Sequence, residues 1–129
     1  MNYNPYQFLN KIIRVVIDRP AGSKHEKFCT YYPINYGYIP NTLGLDGDEI
    51  DVYVLGVDIP KKMYTGKCIA IIHRINDNDD KLIVVPDGKI FTNNEIKSLV
   101  EFQEKYFKSI IIRGYLSSPS KLLLSIYSG

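Results

Sequence analysis

Apolar residues fall in short runs separated by turn residues: KIIRVVI (11–17), DVYVLGV (51–57), GKCIAIIH (66–73), KLIVV (81–85) and SIIIRGYL (109–116). These runs are rich in Val and Ile and are bounded by Gly, Pro, Asp and Asn, the signature of β-strands. Five such runs predict a small barrel. The period changes in TNNEIKSLVEFQEKYFK, where Ile96, Leu99, Val100 and Phe102 approach helical spacing. Thr92 with Glu95 forms a capping-box pattern at its start. One amphipathic helix is therefore expected beside the sheet. The tail SPSKLLLSIYSG is expected to form a second, short helix from near Pro119, fraying at its end. The fold class read from this pattern is mainly β (α+β), a five-stranded barrel with one or two flanking helices.

The segment YYPINYGYIPNTLG (31–44) fits neither period. Its tyrosines at 31, 32, 36 and 38, with prolines at 33 and 40 and glycines at 37 and 44, predict an ordered but irregular path lined with phenol groups. The same tyrosines would serve equally as packing under a loop.

Composition narrows the setting. A chain of 129 residues, 45% hydrophobic and 23% charged, suits a single domain over 1–129. The net charge of +2 is too small to argue for nucleic acid. Cys29 and Cys68 lie far apart without CxxC spacing, and the start of the chain carries no cationic, apolar leader, so a reduced, cytoplasmic protein is expected. No apolar run approaches the ~20 residues that cross a bilayer, so no membrane association is expected.

The acidic residues carry the chemistry. In LGLDGDEIDVYVLG, Asp46, Asp48 and Asp51 crowd the start of a strand. Like charges that close persist either because water solvates a turn or because cations lie between them. With a strand starting near Ile50, Asp51 shares a face with Tyr53 and Leu55, while Gly47 lets Asp46 and Asp48 curl over it. Hard oxygen donors of that kind suit Mg²⁺ or Mn²⁺. An EF-hand is excluded because Asp51 stands where its glycine belongs. INDNDDKLIVV repeats the device, with Asp77, Asp79, Asp80 and then Lys81 ahead of another strand. Two such clusters meeting would make a metal site with a cation for an anionic substrate, which points to phosphate chemistry.

The stretches VVIDRPAGSKHEKF, YYPINYGYIPNTLGLDGDEIDVYVLG and DNDDKLIVVP, in that order, resemble the soluble inorganic pyrophosphatases of family I. The family's D-x-D-x-x-D signature is matched by Asp46, Asp48 and Asp51. The resemblance implies an OB-type five-stranded barrel and Mg²⁺-dependent hydrolysis of pyrophosphate, with Mn²⁺ as the alternative metal. Asp46, Asp51 and Asp79 would hold metal, with Asp77 on the substrate side and Asp18 near an outer ion. Asp48 would be the general base, supported by Tyr36. Lys24, Glu26, Lys81 and Tyr106 would line the phosphate pocket. Family members are often oligomeric, which leaves a homo-oligomer open.

The chain departs from the family in several places. Only five residues separate Glu26 from Tyr32, where the family usually inserts a hairpin carrying a phosphate-binding arginine. Arg113 on the last run is a candidate replacement. Phe107 follows Tyr106 where a lysine is usual, which brings Lys108 in as a shifted counterpart. Asp18 stands for a longer glutamate, and the shortened acid loop leaves Asp77 and Asp80 as alternatives for one role. His25 is expected to be an exposed loop residue and His73 a structural one. Two other readings stay open: a metal-dependent hydrolase of another phosphoanhydride, such as polyphosphate or a nucleotide, or a non-catalytic OB-type module binding single strands through its tyrosines. Acids at the mouth of the barrel oppose the second of these.

Overall fold

A computed structural model describes residues 4–24, 31–42, 47–77, 79–115 and 118–127, with backbone alone from 115 onward. Its elements are β1 (Ile12–Arg19), β2 (Asn35–Tyr38), β3 (Asp51–Val54), β4 (Met63–Arg74), β5 (Asp79–Val85), α1 (Asn93–Glu104), β6 (Ser109–Tyr115) and β7 (Ser118–Tyr127), preceded by a 3₁₀ turn over Pro5–Phe8. The sheet order is β1-β2-β3-β5-β4-β6-β7, and an additional β1–β4 pairing closes the first five strands into a ring. β3 and β5 run parallel. The other neighbours are antiparallel. This is the expected five-stranded barrel of OB type with a flanking helix.

The membership of the ring differs from the expectation in one strand. β2 comes from the tyrosine segment expected to be irregular, and β6 lies outside the ring, continuing the sheet from β4. β2 is short, is flanked by Pro33 and Pro40, and carries Gly37 at its centre. Those features suppress local strand propensity. Pairing with β1 on one side and β3 on the other supplies what propensity does not. Gly37 has a specific reason to be there: a Cβ would fall onto the Val16 carbonyl oxygen and 2.8 Å from Ile17 Cα. Gly37→Ala is expected to destabilise the fold by about 1–3 kcal/mol, because the contact is with backbone and cannot be relieved by a rotamer change. A denaturant midpoint equal to that of the wild type would show that β1 and β2 can separate without cost.

The tail also differs. Residues 118–127 form β7, antiparallel to β6, and not a second helix. β6 would otherwise be an unpaired edge, and pairing its backbone outweighs a weak helical pattern in a short terminal segment. Pro119 is tolerated because β7 is itself an edge strand.

Two apolar clusters use opposite faces of the same strands. One, inside the ring, contains Ile13, Val15, Val52, Val54, Ile71, Leu82 and Val84. The other lies under α1 and contains Tyr53, Leu55, Ala70, Ile72, Ile83, Val85, Ile96 and Val100. β3 and β5 are thus buried on both faces, which is why their sequences read as continuous apolar runs instead of alternating ones. The capping box at the start of α1 forms as expected: Glu95 N donates to Thr92 Oγ1 at 3.1 Å, and Thr92 N donates to Glu95 Oε1 at 2.9 Å. Cys68 is a buried thiol pushed up to about 12 by burial, while Cys29 lies outside the described residues. Among the described residues no helix is long and apolar enough to cross a membrane.

Candidate active site

The acids are gathered by sheet register. β3 and β5 pair in parallel with Asp51 opposite Lys81, and Asp79, two residues before Lys81, emerges on the same face. Across the β4–β5 ladder Asp79 is paired with Arg74, so that residue joins the same face from the other side. The result is a row of alternating charge at one end of the sheet. Lys81 Nζ lies 2.6 Å from Asp51 Oδ2 and 2.9 Å from Asp79 Oδ2. Arg74 Nη1 lies 3.4 Å from Asp79 Oδ2 and 3.8 Å from Asp77 Oδ2.

Lys81 is almost wholly buried, with 5% of its side chain exposed. Burial alone would discharge it, but Tyr36 and the carboxylates of Asp51 and Asp79 outweigh that effect and hold its ammonium far above the usual lysine range. Asp51 and Asp79 therefore share a cation whose charge they help to hold. Among the described residues no three metal-ligating side chains converge on one point. Asp51 and Asp79 form the pair, and Asp46 lies outside the described residues, as does Glu26.

A second layer lies beneath the acids. Glu104, the last residue of α1, is fully buried. It accepts from Arg74 Nη2 at 2.7 Å and from Arg74 Nε at 3.1 Å to its other oxygen. Tyr53 Oη donates to Glu104 Oε2 at 2.6 Å, and Ser109 Oγ donates to Oε1 at 2.9 Å. Gln103 Nε2 donates to Tyr53 Oη at 2.7 Å. A carboxylate at a helix C-terminus opposes the helix dipole, so these donors are what allow it to be buried there. Burial, reinforced by Glu104, raises the Tyr53 phenol well above its usual range and keeps it a donor. The Phe107 ring covers the Arg74 guanidinium at 3.7 Å.

Tyr36 lies beside Lys81 and Tyr53. It sits opposite Tyr53 in the β2–β3 register, its ring lies 5.0 Å from that of Tyr53, and Lys81 Nζ is 5.9 Å from its centroid. Burial, opposed in part by Lys81, pushes its phenol strongly up, so it too is a neutral hydroxyl. Asp18 on β1 is exposed, yet desolvation raises its carboxyl, the Arg19 charge opposes that, and Asp51 and Glu49 add to it. In the register Asp18 lies on β1 between the partners of Gly37 and Tyr36, across β2 from β3. Asp48 is exposed beside Gly47, whose φ of 88° makes the turn into β3.

The alternatives left by the shortened acid loop separate by face. Asp77 is exposed beside Arg74, whereas Asp80 points to the opposite side of β5, where it lies 2.6 Å from His73 Nδ1. Lys24 is exposed in an isolated bridge with Tyr31, Tyr106 lies 5.3 Å from the Lys105 ammonium, and Lys108 leads into β6. Arg113 does not substitute for a phosphate-binding arginine at this end. It shares the sheet face but stands four residues along β6 from Ser109, roughly 13 Å at strand rise. There it donates to Ile69 O, Phe91 O and Asn93 Oδ1 at the start of α1.

The sequence reading missed Arg74, Tyr53 as a hydrogen-bond donor, and Glu104. A signal for two of them was present. Ile96, Val100 and Glu104 recur every fourth residue, so the buried stripe of the helix ends in a carboxylate. Ala70, Ile72 and Arg74 alternate along β4, which puts a cation on the face that the helix covers. A charge at the end of each apolar face requires its opposite.

Residues 10–112 match the family model described as Pyrophosphatase: Inorganic pyrophosphatase. An inorganic pyrophosphatase of Neisseria meningitidis serogroup A is 31% identical over 122 residues, covering 77% of this chain and 67% of that protein. One from Rickettsia felis is 31% identical over 118 residues, covering 86% of this chain and 65% of that protein. The chain thus spans about two thirds of the length of these relatives. Among solved structures, an inorganic pyrophosphatase from Neisseria gonorrhoeae superposes with a TM-score of 0.58 at 26% identity, covering 83% of this chain and 78% of that one.

Proposed function

The chain belongs to the inorganic pyrophosphatase family, enzymes that split the phosphoanhydride of pyrophosphate, and we propose that this member does so with Mg²⁺ and with Asp48 as general base. The observation that carries this reading is the Asp51–Lys81–Asp79 row, in which two carboxylates on neighbouring strands already gather one cation between them. Their oxygens are hard donors in a partly desolvated place, the donor set that suits Mg²⁺ or Mn²⁺. In this reading Asp46, Asp51 and Asp79 would hold the metal, and Asp77 and Asp18 would be its further carboxylate ligands. The metal's contribution is to weaken the hold of a bound water on its proton and to offset phosphate charge.

The chain's own residues do the rest. Asp48, exposed on the turn before β3, accepts the proton from the attacking water at a carboxylate oxygen. The oxygen so freed bonds to one phosphorus as the bridging P–O bond breaks, and the second phosphate leaves. Lys81 holds phosphate oxygens by its charge, and Lys24, Tyr106 and Lys108, with Glu26 from outside the described residues, are the further phosphate-binding residues of this reading. Tyr36 keeps a neutral hydroxyl beside Lys81 and excludes water from its aliphatic stem. The protein works on free pyrophosphate in the cytoplasm.

The test is phosphate release from pyrophosphate, ATP and tripolyphosphate, each with Mg²⁺, with Mn²⁺ and with excess chelator. Hydrolysis of pyrophosphate that is abolished by chelator and restored by Mg²⁺ is expected. Full activity in chelator would remove the metal from the reading, and turnover of ATP or tripolyphosphate in preference to pyrophosphate would replace the substrate.

A further inference from the structure

We infer that Arg74 is a phosphate-binding residue of this site and that Glu104 is the positioning residue that aims it; the inference rests on the pyrophosphatase reading above. Arg74 has one guanidinium edge fully committed. Nε and Nη2 form a fork on the Glu104 carboxylate at 3.1 and 2.7 Å, and Glu104 is itself fully buried and fixed by Tyr53 and Ser109. Phe107 covers the flat of the group at 3.7 Å. The guanidinium therefore cannot turn.

Its remaining nitrogen, Nη1, faces the acids. There its contacts are the loose ones, 3.4 Å to Asp79 and 3.8 Å to Asp77, against the 2.7–2.9 Å of a well-formed charge-assisted hydrogen bond. Lys81 also holds the same Asp79 oxygen, at 2.9 Å. If a cation were held by Asp79, Nη1 would give up this weak partner and have an N–H free to donate beside the Asp79 oxygen that Lys81 also holds. An oxyanion is the group that such a fixed, partly unused donor fits. Here the structural work is done by one edge, and the other is turned to the site.

Arginine at this position also differs in kind from Lys81. Lysine is a point charge on a flexible stem, whereas a guanidinium held on one edge presents its other donors in a fixed direction. Arg74 therefore selects for the tetrahedral arrangement of phosphoryl oxygens and Lys81 supplies charge.

The experiment compares the wild type with Arg74→Lys and with the paired exchange Arg74→Met with Glu104→Leu, which removes both buried charges together and so preserves the fold if the single variant does not. Thermal melts establish which proteins are folded. Binding of imidodiphosphate, a non-hydrolysable analogue, is measured by calorimetry with Mg²⁺ present, alongside KM and kcat for pyrophosphate. Losing a charge-assisted contact to phosphate should weaken analogue binding and raise KM by at least about tenfold, with a smaller change in kcat. Folded variants that bind imidodiphosphate as tightly as the wild type overturn the inference alone. A wild type that neither binds the analogue nor hydrolyses pyrophosphate overturns the pyrophosphatase reading and this inference with it.

Discussion

Glu104→Ala is expected to lower the free energy of unfolding by about 3–5 kcal/mol, the usual cost of removing one partner of a buried ion pair. The size follows from what is left behind. Arg74 has only 6% of its side chain exposed, and without Glu104 it would keep a buried charge facing only the long contacts to Asp79 and Asp77. Tyr53 and Ser109 would lose their acceptor as well. In the wild type Glu104 more than offsets the desolvation that works against the Arg74 charge, and without it a guanidinium, too basic to give up its proton, would carry that desolvation uncompensated. Equilibrium denaturation in urea measures the loss. Glu104→Gln, which retains an acceptor, should cost less, and the paired exchange with Arg74→Met should recover much of the difference. A loss below about 1 kcal/mol for Glu104→Ala would mean that water reaches the guanidinium and that the network is not sealed.

Asp48→Asn is expected to reduce turnover of pyrophosphate by about 10²-fold or more, the ordinary contribution of a positioned general base. Asparagine keeps the size and some hydrogen bonding of aspartate but cannot accept a proton from the attacking water. Because Asp48 is exposed, the substitution should leave stability within about 0.5 kcal/mol of the wild type. Binding of imidodiphosphate should be largely retained, since the loss is in the transition state and not in the ground state. Unchanged turnover would transfer the role of base to another carboxylate of the cluster.

The sequence by itself determined the apolar strands, the helix with its Thr92–Glu95 box, and the crowding of acids ahead of β3 and β5. Each is a local matter of period, capping or charge density. Asp51 could be placed on the face of Tyr53 and Leu55 from alternation alone, and the two clusters bear this out, with Val52 and Val54 on the other side. Tertiary structure decided the rest. β2 exists because β1 and β3 pair with its backbone on both sides, around a glycine that only that close approach explains. β7 exists because β6 presents an edge to be paired. The site was legible only in part for the same reason. Asp51 and Asp79 are separated by a whole strand and its turns, and it is the parallel register of β3 and β5 that puts Lys81 between them. Arg74 and Glu104 sit at the ends of two apolar faces, on a strand and a helix whose mutual packing no local pattern specifies. Charge tells where water or a counterion is needed, but which counterion arrives is settled by long-range register, because desolvation makes a buried charge depend on whichever partner the fold carries within reach.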